Sequence, residues 1–211
     1  MQDIILRDVS KKFGDKTVLD KFSLEVERGD YISITGESGK GKTTILNIIG
    51  MLDKPDSGAF EICGCKNPSF STREAVRLRR YDVSYLFQNY GLIDTETVAK
   101  NIAIALRFKK GSSTAKRRLI SSALSNVGLN GYEKRKIYTL SGGEQQRVAL
   151  AKIIAKSPKI ILADEPTGSL DERNRNYVLK ILDALNKKGT TIIVVTHDLF
   201  VASCAKKNIA L

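Results

Sequence analysis

The stretch from Tyr31 to Leu52, YISITGESGKGKTTILNIIGML, restricts the fold more than any other part of the chain. Tyr31 to Thr35 alternates in polarity and is rich in β-branched residues, which is the pattern of a strand. Gly36, Gly39 and Gly41 follow, and the apolar run after Thr43 has the pattern of a helix. A strand that enters a helix through such a loop makes a phosphate cradle, because N–H groups of the loop and of the helix N-terminus converge on one point. Gly36, Gly41, Lys42 and Thr43 fit G-x-x-x-x-G-K-[ST], in the strand–loop–helix context that gives this spacing its meaning. The candidate nucleotide contacts are Gly36, Glu37, Ser38, Gly39, Lys40, Gly41, Lys42, Thr43 and Thr44. Lys42 would reach the β- and γ-phosphates, and Thr43 would ligate Mg²⁺. Lys40 adds a further positive charge, directed at phosphate, at a partner or simply at water.

KIILAD (Lys159 to Asp164) and TTIIVVTH (Thr190 to His197) have the pattern of buried strands. Between them, Val178, Ile181, Leu182 and Leu185 fall at helical spacing, and Gly189 is placed as the C-cap. Strand, helix and buried strand in succession imply a right-handed crossover and a parallel sheet. DIILRDVS and KFSLEVERG read as antiparallel strands that feed this sheet. From about Asn89 to Ser157 helical patterns replace strand patterns. The expectation is a single α/β domain over residues 1–211. It combines a P-loop NTPase core with a mainly parallel sheet, N-terminal antiparallel strands and an inserted helical subdomain at about 89–157.

KIILAD ends in Asp164 and is followed by Glu165, two acids at the end of an apolar strand. In P-loop enzymes an aspartate at this place helps to hold Mg²⁺. Glu165 is then placed to orient a water, a role worth about 10²–10⁴-fold in rate. A second glycine cluster, TLSGGEQQR, runs from Thr139 to Arg147. Ser141 and Glu144 have capping-box spacing, which predicts a helix from about Glu144 to Ala155. Gly142 and Gly143 are not needed for the cap, and each would weaken the first turn by up to about 1 kcal/mol. Approach of an anion to the helix N-terminus would require them.

No apolar run approaches the roughly 18 residues of a membrane helix. The longest candidate, IIVVTHDLFVA, is broken by His197 and Asp198. The N-terminus lacks a signal-peptide pattern, so a cytosolic chain is expected, with any membrane role supplied by a partner. The three cysteines, Cys63, Cys65 and Cys204, form no metal-binding pair, and there is one histidine. Cys63 and Cys65 would share a face if AFEICGC is a strand, and packing accounts for them. The net charge of +12 gathers in REAVRLRR, FKKG, AKRRL and EKRKI. Solvated helix faces, nucleic acid and an anionic membrane surface all fit that charge.

Taken in order, GESGKGKT, LSGGEQQR, ILADE, GSLD and VVTHD resemble the ATP-binding subunit of ABC transporters, over essentially the whole chain. The resemblance implies two such domains packed head to tail, with ATP and Mg²⁺ as ligands. Ser141 and Gly143 would then contact a γ-phosphate held by the partner's Lys42. Gln88 matches the glutamine that senses Mg²⁺ and γ-phosphate and links to a transmembrane permease. His197 would contact the γ-phosphate, and Asp171 would contact the dimer partner or cap the helix at Glu172. Phe13 would stack on adenine, with core packing as its alternative role. The implied placement is the inner face of the membrane, as a homodimer in the ATP-bound state, with no specific nucleic-acid partner. ADEPTGSLD and GGEQQR resemble the lipoprotein-release and macrolide-export group. QNYGLIDTETVAKNI (Gln88 to Ile102) is most similar to lactococcin-type bacteriocin exporters. Many relatives continue past NIAL, so the expectation is that no C-terminal regulatory domain follows Leu211. The competing class is a nucleic-acid-linked ATPase of the same superfamily, in repair or translation. Against it, no heptads are sustained, and a single ATP-binding domain is present. A P-loop kinase would not account for the second glycine cluster or for VVTHD.

Overall fold

The computed structural model describes residues 1–69, 71–168 and 170–211. Ser169, part of the GSLD motif, lies outside the described residues.

Among the described residues, five parallel strands form the central sheet: β3 (Tyr31–Thr35), β6 (Val83–Leu86), β7 (Ile160–Asp164), β8 (Thr191–Val195) and β9 (Lys207–Ala210), in the order β6-β7-β8-β3-β9. The others, β1 (Gln2–Phe13), β2 (Lys16–Glu27), β4 (Ser57–Ile62) and β5 (Cys65–Lys66), pair antiparallel in the order β2-β1-β4-β5. The helices are α1 (Lys42–Ile49), α2 (Arg73–Arg77), α3 (Val98–Ala105), α4 (Ser113–Asn126), α5 (Gly142–Lys156), α6 (Glu172–Lys187) and α7 (Leu199–Ser203). One π-helical turn, Leu78–Asp82, joins α2 to β6.

Strand alternation divides the central sheet between two cores. Ile161 and Ala163 of β7, with Ile192 and Val194 of β8, face the cluster built from α3 to α6. Ile160, Leu162, Ile193 and Val195 face the other cluster, with α1 and the antiparallel sheet. The helical region from Val98 to Lys156 therefore shares its apolar core with one face of the sheet.

Several local expectations change. AFEICGC is not one strand: β4 ends at Ile62, and Cys63-Gly64 forms a two-residue turn with φ of +48° and +82°. Positive φ at both central residues is the signature of the type I′ hairpin, which matches strand twist. Cys63 and Cys65 still pack against the same core. Burial pushes the Cys63 thiol up to about 11, so it remains protonated and inert. The C-cap of α6 is Lys188, and Gly189 follows it at φ +93°. The bonds Gly189 N–H to Asn186 O and Thr190 N–H to Leu185 O complete a Schellman motif. Helix α5 begins at Gly142 and not at Glu144.

The loop between β3 and α1 is seated on β2. Gly41 has φ +90°, and a Cβ there would fall 2.8 Å from the Val18 carbonyl oxygen and 2.8 Å from Leu19 Cδ2. Gly39 has nearly the same backbone strain, φ +80°, but a Cβ there would meet only Lys16 Nζ, at 3.6 Å. Gly39→Ala should therefore cost about 1 kcal/mol from left-handed strain alone. Gly41→Ala should cost a further ~1–3 kcal/mol from overpacking. Urea unfolding of both variants checks the difference, and equal losses would contradict the β2 seat.

Candidate active site

An open cleft of about 720 Å³ is lined by Ser38, Gly39 and Gly41 to Thr44, by Gln88, Asp164, Glu165 and His197, and by Phe13 at its edge. The remaining predicted loop residues contribute differently. The Gly36 and Glu37 carbonyls accept from Lys42 Nζ at 2.7 and 2.8 Å, so the ammonium arches back over its own loop. Lys40 is exposed and does not line the cleft. Lys42 is buried, and those carbonyls occupy two of its three donors without neutralising its charge. Among the described residues, α1 has no side-chain cap and no acid in its first turn. Its N-terminal N–H groups and its dipole are thus available to an anion.

At the other wall, Thr43 Oγ1 donates to Asp164 Oδ1 at 3.3 Å. Burial raises the Asp164 pKa, and the charge of Glu165 beside it pushes the same way. The Thr43 bond, the Tyr85 hydroxyl and Lys42 pull it back. A hydroxyl and an underneutralised carboxylate are hard oxygen donors that suit a small dication.

Glu165 sits at φ +44°, a left-handed conformation rare outside glycine. Its N–H continues the sheet ladder by donating to Val195 O at 2.9 Å. Its Oε2 accepts from Thr196 Oγ1 at 3.0 Å, and its Oε1 accepts from the His197 N–H at 3.0 Å. His197 Nδ1 lies 2.7 Å from the same Oε1. The two residues assigned separately from sequence are thus a direct pair, held by adjacent ends of β7 and β8. Thr196 was not foreseen, since only the parallel pairing places it beside Glu165. It also accepts from the Asp198 N–H, which orders the turn into α7.

The second glycine cluster lies away from this cleft. Ser141 Oγ accepts from the Glu144 N–H, while Glu144 Oε2 accepts from the Ser141 N–H and hydroxyl. These bonds, and one from Tyr132, hold the Glu144 carboxyl below its ordinary range, with the Ser141 N–H the largest cause. The glycines also have a local reason. A Cβ on Gly143 would fall 2.7 Å from Asn174 Cγ, and one on Gly142 would fall 3.2 Å from Tyr90 Oη. This is a packing constraint that capping and anion approach do not include. Asp171 caps α6, accepting from Asn174 N–H at 2.8 Å and from its Nδ2 at 2.9 Å. Gln146 was also missed: it is buried, and its Nε2 donates to Pro166 O.

Residues 19–168 match the ABC transporter family. The macrolide export ATP-binding/permease protein MacB of Escherichia coli is 40% identical over 212 residues, covering 99% of this chain and 33% of MacB. MacB of Mannheimia succiniciproducens is 38% identical over 213 residues, with the same two coverages. The chain spans about a third of the length of these curated relatives. Among solved structures, the dimeric bacterial ABC transporter cassette MJ0796 matches with a TM-score of 0.90 at 38% identity, covering 99% of this chain and 94% of that one. The post-hydrolysis state of MJ0796 bound to ADP and Pi matches with a TM-score of 0.90 at 37% identity and the same coverages.

The shift at Asp164 has a consequence for stability. With its folded pKa raised, the folded chain holds the proton more tightly than the unfolded chain, and stability is lost as pH rises through the folded value. At neutral pH the Asp164 charge is therefore a net cost. Asp164→Asn keeps an acceptor for Thr43 and removes that charge. Its melting temperature at pH 7, without nucleotide or divalent cation, should exceed wild type, and the advantage should shrink below the ordinary aspartate range. A lower melting temperature at pH 7 would show that the carboxylate stabilises the fold.

Proposed function

The chain belongs to the ABC transporter family, and we propose that it is the ATP-hydrolysing subunit of an exporter, working with a separate transmembrane permease. The observation that carries this is the Glu165–His197 pair, which shares one cleft with the Lys42 loop.

In this reading the loop N–H groups and Lys42 bind the ATP phosphates. Phe13 is 53% exposed at the edge of the cleft and offers its ring face to adenine. Thr43 and Asp164, with Gln88, would hold Mg²⁺, which when bound offsets phosphate charge. Glu165 takes the proton of the attacking water as the bond to the γ-phosphorus forms, and the β,γ-bridging oxygen leaves with ADP. His197 holds the Glu165 carboxylate through its N–H and ring nitrogen and presents the ring to the γ-phosphate.

Ser141, Gly142, Gly143 and Asp171 do not line the chain's own cleft, and in this reading their ligand is the nucleotide of a second copy. The relative MJ0796, solved as a dimer, supports that arrangement. Among the described residues no helix is long and apolar enough to cross a membrane. In this reading the chain attaches at the inner membrane face through the permease. The macrolide-export names of the relatives, together with the segment Gln88 to Ile102, favour export of a peptide of the bacteriocin type or of a drug.

Glu165→Gln should lower ATP turnover by at least about 10²-fold while ATP affinity stays within a few-fold. Phosphate release and equilibrium nucleotide titration measure the two, and turnover near wild type would remove Glu165 from its role. Ser141→Arg should also abolish turnover while leaving ATP affinity intact, because Ser141 does not line the cleft of its own chain. Undiminished turnover in that variant would contradict sharing of the site between copies.

A further inference from the structure

We propose that Gln146 is a positioning residue for Glu165, joining the helix that starts at Ser141 to the backbone that carries the general base. The inference rests on the functional reading above.

Gln146 lies one turn into α5 and is 1% exposed. Its Nε2 donates to the Pro166 carbonyl at 2.5 Å. Only a donor can face that oxygen, so the orientation of the amide is determined. The other end of the amide, Oε1, is buried and has no hydrogen-bond partner among the described residues. An apolar side chain of the same length would remove this orphaned acceptor but leave the buried Pro166 oxygen without its donor. Folding alone therefore does not select the amide, and among the described residues its side-chain bond goes to the residue after Glu165.

That target needs support. The backbone at Glu165 is in a left-handed conformation, and the sheet ladder ends with its N–H on Val195. Glu165 is then held by its ladder bond, by its carboxylate on Thr196 and His197, and through Pro166 on Gln146. Gly142 and Gly143 sit four and three residues before Gln146, on the same side of α5. A rigid helix therefore carries at one end the glycines offered to a second copy, and one turn later the tie to its own base. Movement of α5 when the partner's nucleotide is engaged would shift Pro166 and with it Glu165.

The test uses the purified full chain with Gln146→Met and Gln146→Glu. Methionine keeps the length and removes the donor. It exchanges an orphaned Oε1 for an orphaned Pro166 oxygen, so the melting temperature should stay within about 3 °C. Turnover should fall at least about 10-fold with KM for ATP within about 3-fold, since a misplaced base affects the chemical step and not binding. In Gln146→Glu, burial favours the neutral acid, which donates to Pro166 as the amide does. Ionisation removes the donor and sets a charge against the carbonyl. That variant should approach wild-type turnover near pH 6 and fall away with rising pH more steeply than wild type.

Wild-type turnover in Gln146→Met would overturn the inference. So would a loss accompanied by a parallel rise in KM and fall in melting temperature, which marks a structural role, or a Gln146→Glu profile parallel to wild type. An inactive Glu165→Gln beside a fully active Gln146→Met would overturn this inference alone. An active Glu165→Gln would remove the functional reading and the inference together.

Discussion

The cleft depends on parallel strands that end level with one another. Ile34 pairs with Val195, and Val195 pairs with Asp164, so the loops leaving β3, β7 and β8 start from one height on one edge. In a parallel sheet all the carboxyl ends share that edge, and ligand sites form there. The register is held by burial on both faces. A one-residue slip of β7 would exchange Ile160 and Leu162 with Ile161 and Ala163 between two different cores. The phosphate loop, the two acids and the histidine are far apart in sequence, and this register makes them neighbours.

Departures from ordinary local preference gather around this edge. Glu165 adopts a left-handed backbone, Asp164 keeps a carboxyl in a half-buried place, and Gly142 and Gly143 occupy the first turn of a helix. Gln146 leaves a buried acceptor unpaired among the described residues. The left-handed Glu165 and the half-buried Asp164 are unfavourable for folding alone, and the surrounding sheet and helices hold them in place. The cations in the cleft follow the same logic. Lys42 donates to backbone carbonyls and not to a carboxylate, so its charge stays available to phosphate.

Features that depend on local spacing were legible in the sequence. The strand–glycine–lysine–helix pattern, the acids ending an apolar strand and the S-x-x-E cap all appear where their spacing placed them. What the sequence concealed depends on contacts between distant segments. Nothing in AFEICGC distinguishes a continuous strand from a strand that turns at Cys63, because the turn is selected by pairing of Ile62 with Cys65. Helix α5 starts at Gly142 despite the poor helical propensity of glycine, and a Cβ on Gly143 would fall 2.7 Å from the Asn174 side chain, a contact that local spacing does not reveal. The Glu165–His197 pair, Thr196 and Gln146 carry no local signal at all. Each becomes visible only once β7, β8 and α5 lie side by side.

Under the proposed function the cleft is half of a site completed by a second copy. The most direct measurement is the solution mass of the Glu165→Gln chain, by light scattering, with and without ATP and Mg²⁺. A site shared between copies predicts the mass of one chain without nucleotide and of two chains with it, and loss of the shift when Ser141→Arg is added. A chain that binds ATP and keeps the mass of one copy under both conditions would contradict it, leaving Ser141 and its glycines with a local role in starting α5.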